Sequence, residues 1–573
     1  MGAQAPQVRE FPPVSGDLAL FATPRVRALV LAAATLLVFV RLGATDLWPP
    51  DEPRYALIAE ELRRMDHGPK GLVLLHLHGA PYTQKPPLFY WLAAAAGAPL
   101  GRVTEFAARL PSALAGIAAV AATIALGTLC FGRGAGTLAG LLLATTFDWS
   151  YRARTVQLDT LLALFETTAL LAFWRIEAAS NAVGLPKDRA SVDARRRNLV
   201  WLHGSLALAV LSKGPVGWIV PLLAIAAYLA WERRLRDLRG LLPLWGLALS
   251  ILPGLAWIAA AVALGPPGFF QEAVVDNLFG RAVQGTTHAQ PFYYYLEKFL
   301  PDLFPWLLLL PVTVWASRRA LRSDAAPGDR RPLRFLLAWI ATSVLFFSLV
   351  SGKRLRYLLP VEPAFALLFA ATLRIWLAQS KRAPRILAIA AAVLGVGALA
   401  VTGALVGTNP LGDAGLTRGF AFAGVAIAAT TALAWMWLAR RGAATETRIA
   451  LLAACVFAAQ MLAHAVVLPA LDAENSPRPI AEAAAALARP GEEVALYRGG
   501  DIADAVAYYG DRPVDAIFET ARLAAFFQRG GRVVVFKEGR LAEVESITPV
   551  VVRGRFRVRS EPWVIAVRRT PPS

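Results

Sequence analysis

Long apolar runs dominate the chain from its first fifty residues to about residue 470. Each run has about 17 to 25 residues, which is the length that a helix needs to cross the hydrocarbon core of a bilayer. The runs predict thirteen membrane spans, the first near residues 28–44 and the last near 448–469. We therefore expect a polytopic α-helical membrane protein.

One apolar stretch decides how the spans are counted. "KPPLFYWLAAAAGAPL" (85–100) is too short to cross easily and begins with Lys-Pro-Pro. Counted as a span, it would place the basic clusters "RRRN" (195–198) and "ERRLRDLR" (232–239) outside. As an interfacial helix it leaves both clusters in the cytoplasm, where the Lys and Arg residues of short loops are normally held. We therefore expect large outer loops at residues 45–106 and 265–298.

The composition agrees with a membrane protein. Of the 573 residues, 56% are hydrophobic and only 17% are charged, whereas about 25% are charged in an ordinary soluble domain. The net charge of +19 comes largely from short loops between apolar runs, so it marks membrane sidedness rather than nucleic-acid binding. The two cysteines, Cys130 and Cys455, lie inside apolar runs and form no disulfide or metal-binding motif.

The chain changes character after residue 471. "SPRPIAEAAAALA" predicts a helix, and "EVALYR", "RVVVF" and "WVIAVRR" predict strands, because they are continuous or alternating runs of β-branched residues. No glycine-rich phosphate motif accompanies them in the sequence. We expect a transmembrane domain at 1–471 and a small soluble α/β domain at 472–573, which lies on the outer side and packs on the outer loops.

The stretch "WPPDEPRYA" (48–56) is unusually charged for this chain. Asp51 and Glu52 follow two prolines, which places them in a loop at the outer membrane surface. Apolar residues from Tyr55 to Leu62 then recur at helical spacing, which predicts an amphipathic helix lying on the membrane. Asp51 has two interpretations here: a cap for that helix, or a carboxylate with a functional role.

A second carboxylate arrives on the same predicted side. The segment "YRARTVQLDT" (151–160) places Arg154 and Asp159 at the outer edge of an apolar span. An ionisable group at membrane depth is costly and usually faces a cavity or a partner. Two interpretations stay open: Arg154 and Asp159 pair within one turn, or Asp159 joins Asp51 in a functional site.

Cationic side chains gather on that side too. Lys213 lies in a Gly-Pro break between two spans, where exposed backbone favours a cavity. Several cations around one or two carboxylates suit a phosphate-bearing ligand handled outside the membrane, although snorkelling side chains at helix ends also explain them. The cations are Arg54, Lys85, Lys213, Arg281, Lys353, Arg354 and Arg356.

Two weaker signals accompany these charges. His76 and His78 in "LLHLHG" have no carboxylate at a fixed spacing, so they leave a divalent metal open without predicting one. Tyr293, the first of three consecutive tyrosines, belongs either to an aromatic belt at the membrane interface or to a cluster facing a sugar.

Six motifs in order resemble those of membrane glycosyltransferases that use polyprenyl-phosphate sugars. They are "DLWPPDEPRYA", "TQKPPLFYWLAA", "FAARLPSALAG", "RTVQLDT", "LSKGPVGW" and "SGKRLRYLLP", and they span about residues 40–370. The chain is most similar to the ArnT-like aminoarabinose transferase and protein-mannosyltransferase families, whose fold is named GT-C. The resemblance implies a GT-C fold of about thirteen transmembrane helices with a small C-terminal α/β domain.

The resemblance also implies roles for individual residues. Asp51 would be the catalytic carboxylate, and Asp159 a second essential acid. ArnT-like relatives often have Glu directly before the Lys of "KP", whereas this chain has Gln84, so the resemblance does not extend to a metal or a positively charged aminosugar there. We expect Arg54, Tyr55, Lys85, Arg281, Lys353 and Arg354 to bind the donor phosphate. We expect Glu52, Tyr82, Arg154, Lys213, Tyr293 and Tyr357 to line the cavity.

The activity that the resemblance implies is inverting sugar transfer in the bacterial inner membrane, on its periplasmic side. The donor would be a sugar on a polyprenyl phosphate such as undecaprenyl phosphate, and the gathered Arg and Lys would stabilise charge on the leaving phosphate. The acceptor would be lipid A, in a modification of lipopolysaccharide, or another glycan or a protein. Asp51 would deprotonate a hydroxyl acceptor, or orient an acceptor that is already a phosphate oxygen.

A transporter or flippase of polyprenyl-linked sugars or glycolipids is the alternative function, since it too needs outer cations and a cavity. Such proteins carry polar residues at mid-span and in paired broken helices of two repeats. The sequence shows no such repeat, and its polar residues lie toward the predicted outer side, which favours the enzyme.

Overall fold

A computed structural model describes residues 18–180, 189–280, 290–322, 330–379, 392 and 414–569. The predicted span at 386–407, apart from residue 392, and the side chain of Arg281 lie outside the described residues. The chain divides into two compact units. The first is Met1–Val40, Gln84–Leu88 and Ser112–Ala463, and the second is Arg41–Thr83, Phe89–Pro111 and His464–Ser573.

The first unit is built from helices, as expected where long apolar runs must satisfy their backbone groups internally. Its apolar core runs from Leu18 to Ala453. The α-helices are Ala19–Ala22, Pro24–Phe39, Arg133–Ala144, Phe147–Arg152, Leu158–Ser180, Arg189–Lys213, Val216–Trp231, Leu238–Leu241, Leu244–Leu264, Tyr294–Lys298, Leu310–Arg322, Arg331–Leu349, Glu362–Gln379, Ala414–Arg440 and Thr445–Leu462. Shorter turns are the 3₁₀ segments Leu235–Asp237, Leu300–Leu303, Trp306–Leu309 and Leu355–Val361, and the π-helix Gln271–Gly280.

Small residues allow close helix contacts in this unit. Where Glu105–Phe131 meets Arg133–Ala144, a Cβ added to Gly127 would lie 2.7 Å from the Cα of Gly136. No larger side chain fits there, and small residues at helix contacts are typical of membrane proteins.

The apolar helices make the chain a multi-pass membrane protein. Within the described residues, six helices are long and apolar enough to cross a bilayer, or seven if the bent pair Tyr294–Leu303 and Trp306–Arg322 is one span. The stretch predicted to be too short forms an apolar helix at Leu88–Leu100, outside this group. The predicted count of thirteen spans is not confirmed. The six helices are Glu105–Phe131, Leu244–Leu264, Arg331–Leu349, Leu355–Leu377, Thr417–Arg440 and Thr445–Leu487.

The second unit combines the segment after the first span with the C-terminal residues. Its helices are Asp51–Arg64, Leu468–Asn475, Arg478–Leu487, Ala503–Gly510, Thr520–Gln528 and Leu541–Ile547, with 3₁₀ turns at Gly68–Leu72, Ala98–Leu100 and Glu538–Arg540. Three helical segments, Leu88–Gly97, Glu105–Phe131 and the π-helix Ala463–Val467, have residues in both units.

The described residues form seven strands in two sheets. The strands are β1 (His76–Leu77), β2 (Ala80–Pro81), β3 (Val494–Tyr497), β4 (Val514–Ile517), β5 (Val533–Lys537), β6 (Val550–Val558) and β7 (Glu561–Arg568). The last five form a mixed sheet in the C-terminal part. The order is β4-β3-β5-β7-β6, with β3, β4 and β5 parallel and β7 antiparallel to both its neighbours. β1 and β2 form a separate two-stranded sheet.

Both faces of this sheet are covered. One apolar core contains Ile480, Val506 and Ile565, and the other contains Phe526 and Val564. Because Ile565 and Val564 are consecutive in β7, they point to opposite faces of the sheet. The predicted small α/β domain at the C-terminus is confirmed.

Candidate functional site

The amphipathic helix predicted after the two prolines spans Asp51–Arg64, with Tyr55, Ile58 and Leu62 buried. Asp51 is its first residue and is half-buried. The cap position belongs to Pro50, which has no side-chain capping bond. Asp51 therefore does not occupy the cap position that its interpretation as a helix cap requires. Its negative charge in the first turn still stabilises the helix, through the dipole at the N-terminus.

Glu52 has a different environment from its neighbour. Its carboxylate forms a two-bond ion pair with Arg109, at 2.9 Å from Nε and 3.0 Å from Nη2, and both side chains are buried. Arg109 also donates to the carbonyl oxygens of Leu42, Thr45 and Asp46 at 2.8–3.0 Å. Glu52, predicted to line the cavity, is thus engaged in fixing the loop before the helix.

Arg54 is held by a carboxylate from the C-terminal residues. Its Nε donates to Asp504 Oδ2 at 2.8 Å, and His78 Nε2 lies 2.8 Å from Asp504 Oδ1. Burial opposes the charge on Arg54, but Asp504 outweighs this effect and raises the pKa of the guanidinium above its ordinary value. Arg54 therefore keeps its positive charge, as a phosphate-binding residue must.

Aromatic rings surround the same region. Tyr55 lies edge-on to Tyr90 at 5.7 Å between centroids, and Tyr82 lies edge-on to Tyr90 at 6.0 Å. Asp51 interacts electrostatically with both Arg54 and Tyr90. The structure thus brings four predicted residues, Asp51, Arg54, Tyr55 and Tyr82, into one cluster of the second unit.

A second cluster forms in the first unit around Asp159. Lys213, the last residue of Arg189–Lys213, makes an ion pair with Asp159, and both side chains are buried, at 8% and 5% exposure. Lys213 Nζ also lies 4.2 Å from the ring centroid of Tyr357. Gly214 has φ of +89°, a conformation that suits Gly and ends the helix at Lys213.

Arg154 has its own contacts. Its Nη1 donates to the carbonyl oxygens of Leu37 and Val38, at 2.7 and 2.8 Å, near the end of the helix Pro24–Phe39. A cation at a helix C-terminus stabilises the last carbonyl groups. These bonds tie Arg154 to the helix end, while Asp159 takes Lys213 as its partner.

Two of the predicted phosphate ligands lie in the turn "SGKRLRY". Lys353 is 4% exposed, and its Nζ donates to the carbonyl oxygens of Gln290 and Val350 at 2.9 and 2.6 Å. Burial lowers the pKa of Lys353 below its ordinary value. The Arg354 carbonyl accepts a bond from the Tyr295 hydroxyl at 3.1 Å. The turn is therefore anchored by hydrogen bonds to Gln290, Tyr295 and Val350.

Three predicted residues remain: Lys85, Tyr293 and Arg281. Lys85 is half-buried and belongs to the unit that contains Asp159. Tyr293 is 49% exposed, which agrees with the aromatic-belt interpretation. Arg281 lies outside the described residues.

His76 and His78 each have a contact within the protein that accounts for their positions. The His76 ring stacks on His67 at 3.6 Å between centroids, and burial with the nearby His67 lowers the pKa of His76 to about 4. His78 contacts Asp504. Within the described part of the chain, His, Cys, Asp and Glu side chains form no group of three that could hold a metal ion.

Sequence analysis missed several buried ionisable residues. Glu166 lies seven positions after Asp159, is 1% exposed and interacts electrostatically with Asp159 and Lys213. Asp148 and Glu362 are also buried. The signal that was available is the presence of carboxylates inside predicted apolar spans.

Comparisons with known proteins agree with the motifs. The sequence model of the dolichyl-phosphate-mannose-protein mannosyltransferase family matches residues 25–269, and that of the Alg9-like mannosyltransferase family matches residues 283–410. An undecaprenyl phosphate-alpha-4-amino-4-deoxy-L-arabinose arabinosyl transferase of Pseudomonas savastanoi pv. phaseolicola is 33% identical over 374 residues, 64% of this chain and 65% of that protein. Its namesake from Serratia proteamaculans is 29% identical over 352 residues, 60% of this chain and 58% of that protein.

The chain thus spans slightly less than two thirds of the length of these curated relatives. Among solved structures, ArnT from Cupriavidus metallidurans bound to undecaprenyl phosphate matches with a TM-score of 0.75 and 21% identity, over 94% of this chain and 97% of that one. The archaeal oligosaccharyltransferase AglB from Archaeoglobus fulgidus matches with a TM-score of 0.52 and 13% identity, over 90% and 69%. The resemblance seen in the motifs is confirmed by these matches, and the chain has the GT-C membrane fold of ArnT.

Proposed function

We propose that this protein is a glycosyltransferase that moves a sugar from a polyprenyl phosphate, of the undecaprenyl type, to an envelope glycolipid. The observation that carries the proposal is the Asp51 cluster, in which this carboxylate interacts with the charged Arg54 and with Tyr90, the ring against which Tyr55 packs. Names of the similar proteins supply the donor class, and the ArnT match supplies a fold that accommodates a polyprenyl phosphate.

The proposed chemistry divides between two kinds of side chain. Asp51 accepts the proton of a hydroxyl acceptor, or orients a phosphate acceptor. Arg54 and Lys85 bind the donor phosphate and stabilise the negative charge that grows on it as the sugar leaves. Asp159, fixed by Lys213, is the second acid. Lys353 and Arg354 remain proposed ligands of the phosphate.

Mass spectrometry of envelope glycolipids tests the transfer. Cells that carry the gene should contain a glycolipid heavier by one sugar residue than the one in cells lacking it, and the mass increment identifies the sugar class. Restoration by the wild-type gene is the control. An unchanged set of lipids and glycans, together with transbilayer movement of the donor lipid by the purified protein, would identify a transporter instead.

Donor binding gives a separate prediction for Lys85. Lys85→Ala removes a charge-assisted contact of about 1.5–3 kcal/mol, so undecaprenyl phosphate should bind about 10- to 150-fold more weakly in detergent. The control is Lys70→Ala, because Lys70 is an exposed lysine of the turn Gly68–Leu72. Equal affinities of the Lys85 and Lys70 variants would move the phosphate site elsewhere.

We also propose that the protein lies in the bacterial inner membrane, with a transmembrane domain at 1–471 and the domain 472–573 on the periplasmic side. The basic loops support this orientation, because they prefer the cytoplasm. In a background with Cys130 and Cys455 replaced by Ala, an impermeant maleimide should label Thr520→Cys in intact spheroplasts. Arg236→Cys, at an exposed loop position, should react only after lysis. The reverse pattern would invert the topology.

A further inference from the structure

Asp504, in the C-terminal domain, contacts Arg54, which we propose as a ligand of the donor phosphate. It is the second residue of the helix Ala503–Gly510 and is 4% exposed. Its two carboxylate oxygens contact Arg54 Nε and His78 Nε2, each at 2.8 Å. The helix N-terminus stabilises the negative charge of this buried carboxylate.

We propose that Asp504 is a positioning residue, which orients the Arg54 guanidinium for the donor phosphate. The proposal rests on the proposed function, because it assigns a role to Asp504 only through Arg54. It gives the C-terminal domain, which has no phosphate-binding motif of its own, a part in donor recognition.

The bonding pattern suits such a role. A guanidinium has five N–H donors in one plane, and the bond to Asp504 uses the single donor on Nε. A bond at Nε restrains the plane of the fork, while the donors that suit two-bond recognition of phosphate are on the terminal nitrogens. Arg54 also interacts electrostatically with Asp51 and Tyr82, which places its charge beside the proposed catalytic carboxylate.

The other side of the carboxylate is restrained as well. His78 has φ of +54°, and its backbone N–H donates to Glu61 Oε1 at 2.8 Å. Gly79 N–H donates to the second oxygen of Glu61 at 3.4 Å. Glu61 therefore holds the backbone of His78, while the His78 ring, Asp504 and Arg54 are linked through their side chains within one unit.

A second ion pair between the same two helical segments provides a matched control. Arg64 contacts Asp511 at 2.8 Å, but these side chains are 42% and 70% exposed. Exposed pairs contribute little to stability. Asp504, in contrast, is buried. It precedes Asp511 by seven positions, so either ion pair can be removed without removing the other.

The test measures donor affinity in the full-length protein with undecaprenyl phosphate as the probe. Asp504→Asn should weaken binding on the order of tenfold, less than the hundredfold that misplacement of a reacting group can cost. It should raise the KM for a polyprenyl-phosphate sugar more than it lowers kcat. Asp511→Asn should bind as the wild type does. In an Arg54→Ala background, Asp504→Asn should cause no further loss, because Asp504 acts through Arg54.

Each outcome is decisive. If Arg54→Ala weakens binding while Asp504→Asn does not, or if the two losses add, the positioning role is overturned and the proposed function stands. If Arg54→Ala itself leaves binding unchanged, Arg54 is not a donor ligand, and both its proposed role and that of Asp504 are overturned. Should Asp504→Asn fail to fold, Asp504→Glu provides the same comparison, since it keeps the charge and shifts the carboxylate by one methylene.

Discussion

Lys213→Met is expected to cause a large loss of both stability and sugar transfer. Removal of the ammonium leaves Asp159 buried without its cation, next to the buried Glu166. Breaking a buried ion pair by removing one partner costs about 3–5 kcal/mol. The thermal midpoint in detergent and the transfer rate measure the two effects.

A double variant separates stability from chemistry. Replacement of a whole buried ion pair by apolar side chains is often neutral or stabilising. Lys213→Met combined with Asp159→Leu should therefore recover much of the thermal midpoint while transfer stays absent. Lys537→Met is the exposed control, because Lys537 and Glu561 are 39% and 49% exposed. Recovery of transfer in the double variant would remove Asp159 from the mechanism.

Local patterns predicted the local structure well. The helix Asp51–Arg64 follows from apolar residues at helical spacing after two prolines, and those residues are buried. Three of the five C-terminal strands were also predicted. β4 has only four residues, including Asp515. In β6 three valines are followed by Gly554 and three arginines, so neither strand is apolar along its whole length.

Partners across long sequence separations could not be predicted. Arg109 lies 57 residues from Glu52, and Asp504 lies 450 residues from Arg54. Each pair exists because folding brings distant segments together, and no local period encodes it. Arg109 had one available signal, since it is a charged residue followed closely by a proline in the quoted motif "FAARLPSALAG".

The same limit applies to charge in the apolar runs. Lys213 was predicted to face a cavity because of the Gly-Pro break beside it. The break is present, with Gly214 at a positive φ, and the ammonium is paired with Asp159. The sequence identified the break in the helix, whereas only the packing of Leu158–Ser180 against Arg189–Lys213 identifies the partner of the ammonium.

Asp51→Asn is expected to reduce transfer about 100-fold or more while the protein stays folded, in line with general-base contributions. Asn keeps the size of the side chain but removes its charge and its ability to accept a proton. Since Asp51 is the first residue of its helix, loss of the charge should cost only about 0.3–1 kcal/mol of stability. The loss of activity is measured as sugar transfer by the purified protein from a polyprenyl-phosphate sugar. The loss of stability is measured as the change in thermal midpoint.

The choice of control for Asp51 follows from the structure. Glu52 is the nearest carboxylate, but it is buried against Arg109, so Glu52→Gln should lower stability whatever its effect on transfer. Asp66, exposed beyond the end of the same helix, is the better control, and Asp66→Asn should transfer sugar as the wild type does. Full transfer by a folded Asp51→Asn protein would show that Asp51 only stabilises the N-terminus of its helix. A loss of transfer of about 100-fold with only a slightly lowered thermal midpoint would assign Asp51 a role in the reaction.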